Sequence, residues 1–76
     1  MPRPRPAPST VLGRAVIQKR GAKPLRTVAA ELGTTEAILS RVERGVGLPS
    51  VETARFLGQW LGLTIGQVFD AADTPA

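Results

Sequence analysis

Apolar residues recur along this 76-residue chain at helical spacing, in five runs punctuated by glycine and proline. In the first run Val11, Leu12, Ala15 and Val16 share one face, with Ile17 off it. Ser9 and Thr10 are candidate N-caps and Gly21 is a stop, so the pattern predicts a helix ending near Arg20. The second run, Leu25 to Leu32, turns Val28, Ala29 and Leu32 to one side. It is entered through Lys23-Pro24, where proline's missing N–H does no harm, and closed by Gly33 in the left-handed position that ends many helices.

The third run is placed over 36–44, between a Thr35 cap and Gly45. At about 100° per position, Ile38, Leu39 and Val42 fall in one arc. Glu36, Ala37, Ser40, Arg41 and Arg44 fall in the other. Ser50 opens a fourth helix whose inner face is read as Val51, Ala54, Leu57, Gly58 and Leu61, ending at Gly62. Thr64 and Gln67 have capping-box spacing for a last short helix carrying Ile65, Val68 and Phe69. No run alternates as a strand would. The expected fold is all-α: a bundle of five short helices over residues 10–70, with an arm at 1–9 and a C-terminal tail at 71–76 that frays from Ala71.

Composition narrows how such a domain is held together. A domain this small buries only about 60% of the surface its unfolded chain exposes. The absence of Cys and His removes disulfides and the usual zinc sites, leaving close helix packing or a dimer as the source of stability. No cofactor is expected. No apolar run nears the ~20 residues that span a bilayer and no signal peptide is evident, so a soluble cytoplasmic protein with no membrane partner is expected.

Charge is distributed unevenly. Residues 1–30 carry seven basic and no acidic side chains, while residues 31–76 carry three basic and six acidic. One end of the molecule should attract polyanions, although a basic surface kept for solubility would look the same. The opening MPRPRPAPS cannot form a helix and has nothing to bury. It reads equally as a phosphate-binding or minor-groove arm and as an inert tail.

From about Leu25 to Phe69 the chain resembles the phage repressor/Cro-type helix-turn-helix domain, the family also called XRE. The resemblance is carried by Val28-Ala29, Leu32-Gly33, Leu39, Val42-Glu43-Arg44-Gly45, Pro49-Ser50, Glu52-Thr53, Leu57, Leu61-Gly62 and Ile65. It implies a lambda-repressor-like bundle and a sequence-specific double-stranded DNA-binding transcriptional regulator, most simply a repressor. Such a protein acts as a homodimer on a palindromic operator, with residues 36–44 in the major groove. Glu36, Ala37 and Arg41 match the family's base-reading positions, with Ser40 beside them, and Thr35 and Arg44 match positions that touch phosphate.

The chemistry of those side chains suits the roles. Arg41 can donate a bidentate pair to guanine O6 and N7, Glu36 can accept from a cytosine amino group, and Ala37 offers a methyl to thymine. Thr35 presents a hydroxyl and a backbone N–H to a phosphate. Each has a plainer reading too. A first-turn glutamate stabilises any helix, Arg44 complements a C-terminal dipole, and Ala37 and Ser40 suit any neutral surface. Two features depart from the family. The partner for Glu43 is open between Gln18 and Arg20, because the GAKP link is unusual. The loop VGLPS lacks the basic residues that commonly hold phosphate there, which shifts that work to Arg14, Lys19, Arg20, Lys23, Arg26 and the arm, with Arg26 foremost.

Phe56 and Trp60, four apart on the fourth helix and off its inner face, read as an exposed partner surface, most simply a homodimer contact. The plainer reading has the fifth helix or the tail folding over them. An enzyme is not expected: His, Cys and Tyr are absent and the carboxylates are scattered. The competing functions are a DNA-binding antitoxin or accessory subunit whose main role is holding another protein, and a controller protein of a restriction-modification or phage immunity circuit.

Overall fold

The computed structural model describes residues 10–76, and the arm at 1–9, with the Ser9 cap candidate, lies outside them. Five helices follow in order: α1 (Val11–Arg20), α2 (Leu25–Leu32), α3 (Glu36–Arg44), α4 (Val51–Leu61) and α5 (Ile65–Asp73). There is no strand among the described residues; an isolated antiparallel bridge joins Thr10 to Pro75. Hydroxyls start four of the helices, each accepting from the backbone N–H three residues on: Thr10 from Gly13, Thr35 from Ile38, Ser50 from Thr53 and Thr64 from Gln67. At Thr64 the Gln67 side chain returns the bond at 2.9 Å, completing a capping box. Pro24 stands at the head of α2, with no side-chain bond.

Gly33 is where glycine matters most for the α2–α3 turn. Its φ of 72° lies in the left-handed region, and its N–H donates to the Ala30 carbonyl while that of Thr34 donates to Ala29. This paired closure satisfies two carbonyls that the end of α2 would leave open. Only two residues, Thr34 and Thr35, then separate Gly33 from α3, so the direction of α3 is set almost entirely by this turn.

The core takes Leu12 and Val16 from α1, Val28, Ala29 and Leu32 from α2, Leu39 and Val42 from α3, Ala54 and Leu57 from α4 and Val68 from α5. α1 lies chiefly against α3 and α5, α2 against α3, and α4 against α5. Three helical faces differ from the sequence expectation. On α1 the buried side is Leu12, Gly13 and Val16, and Val11 is exposed. On α3, Ile38 stays 40% exposed, and on α4, Val51 is exposed while Thr53 is buried. Thr53 tolerates burial because its Oγ1 accepts from the Ser50 hydroxyl at 3.0 Å.

The α1 rotation has a visible cause. A Cβ at Gly13 would lie 2.6 Å from the Glu43 carbonyl oxygen and 3.0 Å from that of Val42, so α3 crosses α1 where α1 has no side chain. The tail also differs. α5 runs through Asp73, past the Ala71 where fraying was expected, and the first N–H of α1, on Val11, donates to the Thr74 carbonyl at 2.9 Å. The Thr74 hydroxyl in turn donates to the Asp70 carbonyl at 2.7 Å. The start of α1 needs an acceptor for its open N–H groups, and the end of α5 supplies one.

Gly13→Ala therefore pits better helix propensity against a backbone clash. Urea unfolding should show a loss of roughly 1–3 kcal/mol. Gly66→Ala, where the added carbon meets nothing nearer than Thr64 Oγ1 at 3.9 Å, should be neutral or stabilising. Equal effects at the two positions would refute the close crossing.

Candidate nucleic-acid interface

The outer face of α3 is built by what its inner face buries. Leu39 is fully buried and Val42 nearly so, which turns Glu36, Ala37, Arg41 and Arg44 to solvent along the opposite side. Ser40 is half-buried at the edge of this face. The Thr35 cap is exposed at the N-terminal end, and its Oγ1 accepts from Ile38 N–H at 3.1 Å. Arg44 curls back along its own helix, with Nε donating to the Ser40 carbonyl at 3.4 Å. The six residues named from the sequence for this helix thus lie on one continuous surface. Short side chains there let a partner approach the backbone, and the two arginines set its sign.

Position is fixed from the α1 side. Arg20 Nε donates to Glu43 Oε2 at 2.7 Å and Nη2 to Oε1 at 3.1 Å, while Nη1 donates to the Lys23 carbonyl at 3.1 Å. Of the two candidates left open by the sequence, Gln18 and Arg20, it is Arg20 that pairs with Glu43. The Glu43 hydrogen bond raises the Arg20 pKa above its ordinary value, burial opposes the rise, and the Glu43 charge adds to it. With side chains only 23% and 11% exposed, this is a partly sheltered, bidentate pair. One guanidinium therefore ties α1, the link to α2 and α3 together.

The remaining basic residues among those described fall into three places. Arg14, Lys19 and Arg26 are exposed on α1 and at the start of α2, and Arg55 is exposed on α4, off the α3 face. Lys23, named from the sequence as a phosphate contact, instead lies against Glu31, with Nζ 3.2 and 3.3 Å from its two oxygens. Both partners are open to water, so this pair is weak and exchangeable.

Sequence reasoning missed the part played by Ile38. It stands at the edge of α3 between two shallow grooves. One, of about 200 Å³, lies against Arg41, Val46, Leu48 and Pro49. The other, of about 280 Å³, runs past Gly33, Thr35 and Glu52 to Phe56. With Val46, Leu48 and Val51 also exposed, the α3–α4 connection presents an apolar margin beside the arginine face. The VGLPS composition already carried that signal.

Phe56 and Trp60 are half-buried, in contrast to the two openly exposed rings expected from the sequence. Trp60 packs on the edge of the core, and both rings form one wall of a groove of about 500 Å³ whose other wall is the end of α2, Ala30 to Gly33. It is α2, and neither α5 nor the tail, that faces them across this groove. Among the described residues no helix is long and apolar enough to cross a membrane. No family model, no curated protein and no solved structure matches the chain.

The Arg20–Glu43 pair should carry measurable coupling. A double-mutant cycle with Arg20→Ala and Glu43→Ala, read by urea unfolding, should return about 1.5–3 kcal/mol, the range for hydrogen bonds to charged groups. The Lys23–Glu31 cycle should return about 0.2–1 kcal/mol and fade with added salt. Equal couplings would mean that Arg20 does not clamp the helices.

Proposed function

We propose that this protein is a sequence-specific double-stranded DNA-binding regulator of transcription that acts as a homodimer, with α3 as the element that enters the major groove. The observation that carries the reading is the outer face of α3, where Glu36, Ala37, Ser40 and Arg41 run together between a Thr35 cap and Arg44. A helix about 10–12 Å across fits a groove about 12 Å wide. Arg41 reads guanine through its bidentate fork, Glu36 accepts from a cytosine amino group, and Ala37 meets a thymine methyl. Thr35 and the head of α3 hold one phosphate, and Arg44 at the opposite end of the helix, with Arg14 on α1 and Arg26 at the start of α2, supplies positive charge for others.

A helix of nine residues reads only a few base pairs. Two copies related by a two-fold axis double the site and make it palindromic, with half-sites one helical turn apart. The resemblance to repressor/Cro-type domains supports the same arrangement. A second reading, a DNA-binding subunit whose main work is to hold another protein, is favoured by the apolar margin of Val46, Leu48 and Val51 where a phosphate-binding loop would be basic.

Selection of binding sites from random duplex DNA should yield a palindrome, with affinity that falls steeply as salt is raised. Arg41→Ala should lose about 1–3 kcal/mol of discrimination at one base pair per half-site. Arg26→Ala should weaken every sequence alike and lower the salt slope by about 1. A pool without enrichment, or an Arg41→Ala protein with the parent's preferences, would end the proposal. Sedimentation that finds a stable complex with a foreign chain and no affinity for DNA alone would favour the second reading.

A further inference from the structure

Glu52, Phe56 and Trp60 stand in line along α4 at intervals of four residues, so each follows the last by about 6 Å. Across the groove from the rings is Glu31, near the end of α2. The neighbouring groove shares Gly33 and Phe56 with it and is lined by Glu52. Together they make one trough with two aromatic rings in its wall and a carboxylate toward each end. Among the described residues no lysine or arginine lines either part.

Aromatic walls with flanking carboxylates select a particular ligand chemistry. Proline rings lie flat on aromatic faces, carry no N–H to desolvate and lose little freedom on binding, which is how proline-rich peptides dock. Arginine adds a fork that matches a carboxylate and a plane that stacks on indole. One segment of this chain has that chemistry: Pro2-Arg3-Pro4-Arg5-Pro6-Ala7-Pro8. We propose that residues 2–8 dock in the trough of their own chain, with prolines against Phe56 and Trp60 and with Arg3 and Arg5 paired to Glu31 and Glu52. The exposed Lys23–Glu31 contact is no obstacle, because such pairs exchange at little cost.

Connectivity allows the docking within one molecule. Thr10 and Val11 are tied to Thr74 and Pro75 at the far end of α5, a helix about 14 Å long. Trp60 precedes the Thr64 cap of α5 by four residues, and the chain turns back at Gly62 between them. Seven residues of extended chain span up to about 23–25 Å, well beyond the length of α5. The proposal stands apart from the DNA-binding reading, since the docking uses neither α3's outer face nor a nucleic acid. It does give the aromatic strip an occupant other than the second copy expected from the sequence.

The test uses the full chain without DNA. The protein has no cysteine and a single tryptophan, so a nitroxide attached at Ala7→Cys has one address and Trp60 gives one indole signal. Dilute isotope-labelled protein should lose most of the Trp60 indole and Phe56 intensity, and recover it when the label is reduced. Arg3→Glu together with Arg5→Glu should abolish the loss, as should Glu31→Lys with Glu52→Lys; Glu31 and Glu52 are exposed, and an unchanged amide spectrum away from the trough shows that each variant is folded. Broadening confined to the start of α1, or spread evenly over the surface, would overturn the proposal. So would broadening seen only when spin-labelled protein is mixed with separate isotope-labelled protein, because the occupant would then be a second copy. None of these outcomes depends on whether the protein binds DNA.

Discussion

Glu43 holds α3 to α1 in two ways at once. Its backbone carbonyl lies where a side chain on Gly13 would be, and its carboxylate takes both forks of Arg20. The first is a steric permission and the second a directional bond. Together they settle the distance between the helices and how α3 is rotated about its own axis. Rotation matters more than distance for a surface made by one helix, since a quarter turn would bury Arg41 and expose Leu39. The Gly33 closure at the other end sets the direction from which α3 arrives. Between them, little is left free in the placement of the outer face.

This arrangement also redistributes the basic charge that dominates the first thirty residues. Arg20 is committed to structure, and Lys23 shares its charge with Glu31. The sequence asymmetry therefore overstates the field available to a polyanion. The basic side chains on α1 and at the head of α2 that stay exposed are Arg14, Lys19 and Arg26. A partner recognised by charge would meet these along with Arg41 and Arg44, next to an apolar margin in place of a basic loop.

Local grammar made most of this fold legible. Thr10, Thr35, Ser50 and Thr64 cap where hydroxyls before apolar runs suggested, and Gly33, Gly45 and Gly62 end the helices they follow. Faces were harder, because residues at the edge of an apolar arc can rotate in or out without breaking the period. Ile38 and Val51 went outward, and Thr53 went inward once Ser50 satisfied its hydroxyl. The crossing at Gly13 had a readable sign, since glycine inside a helix is disfavoured unless something needs the room. The half-burial of Phe56 and Trp60 had none, because it depends on how the end of α2 lies against α4. The candidate surface on α3 was traced from periodicity alone, and its residues do share a face. What that face touches is a matter of chemistry outside the bundle.

The contact between Val11 and Thr74, with Thr10 beside Pro75, brings the beginning of the first helix and the end of the last to the same spot. The path of the chain from α1 to α5 returns to its starting point, with a small gap in the backbone. Peptide continuity at that gap is thus incidental to which helices are neighbours. The ends could be joined there and new ones opened in the Val46–Pro49 turn, and every packed pair of helices would keep its partner.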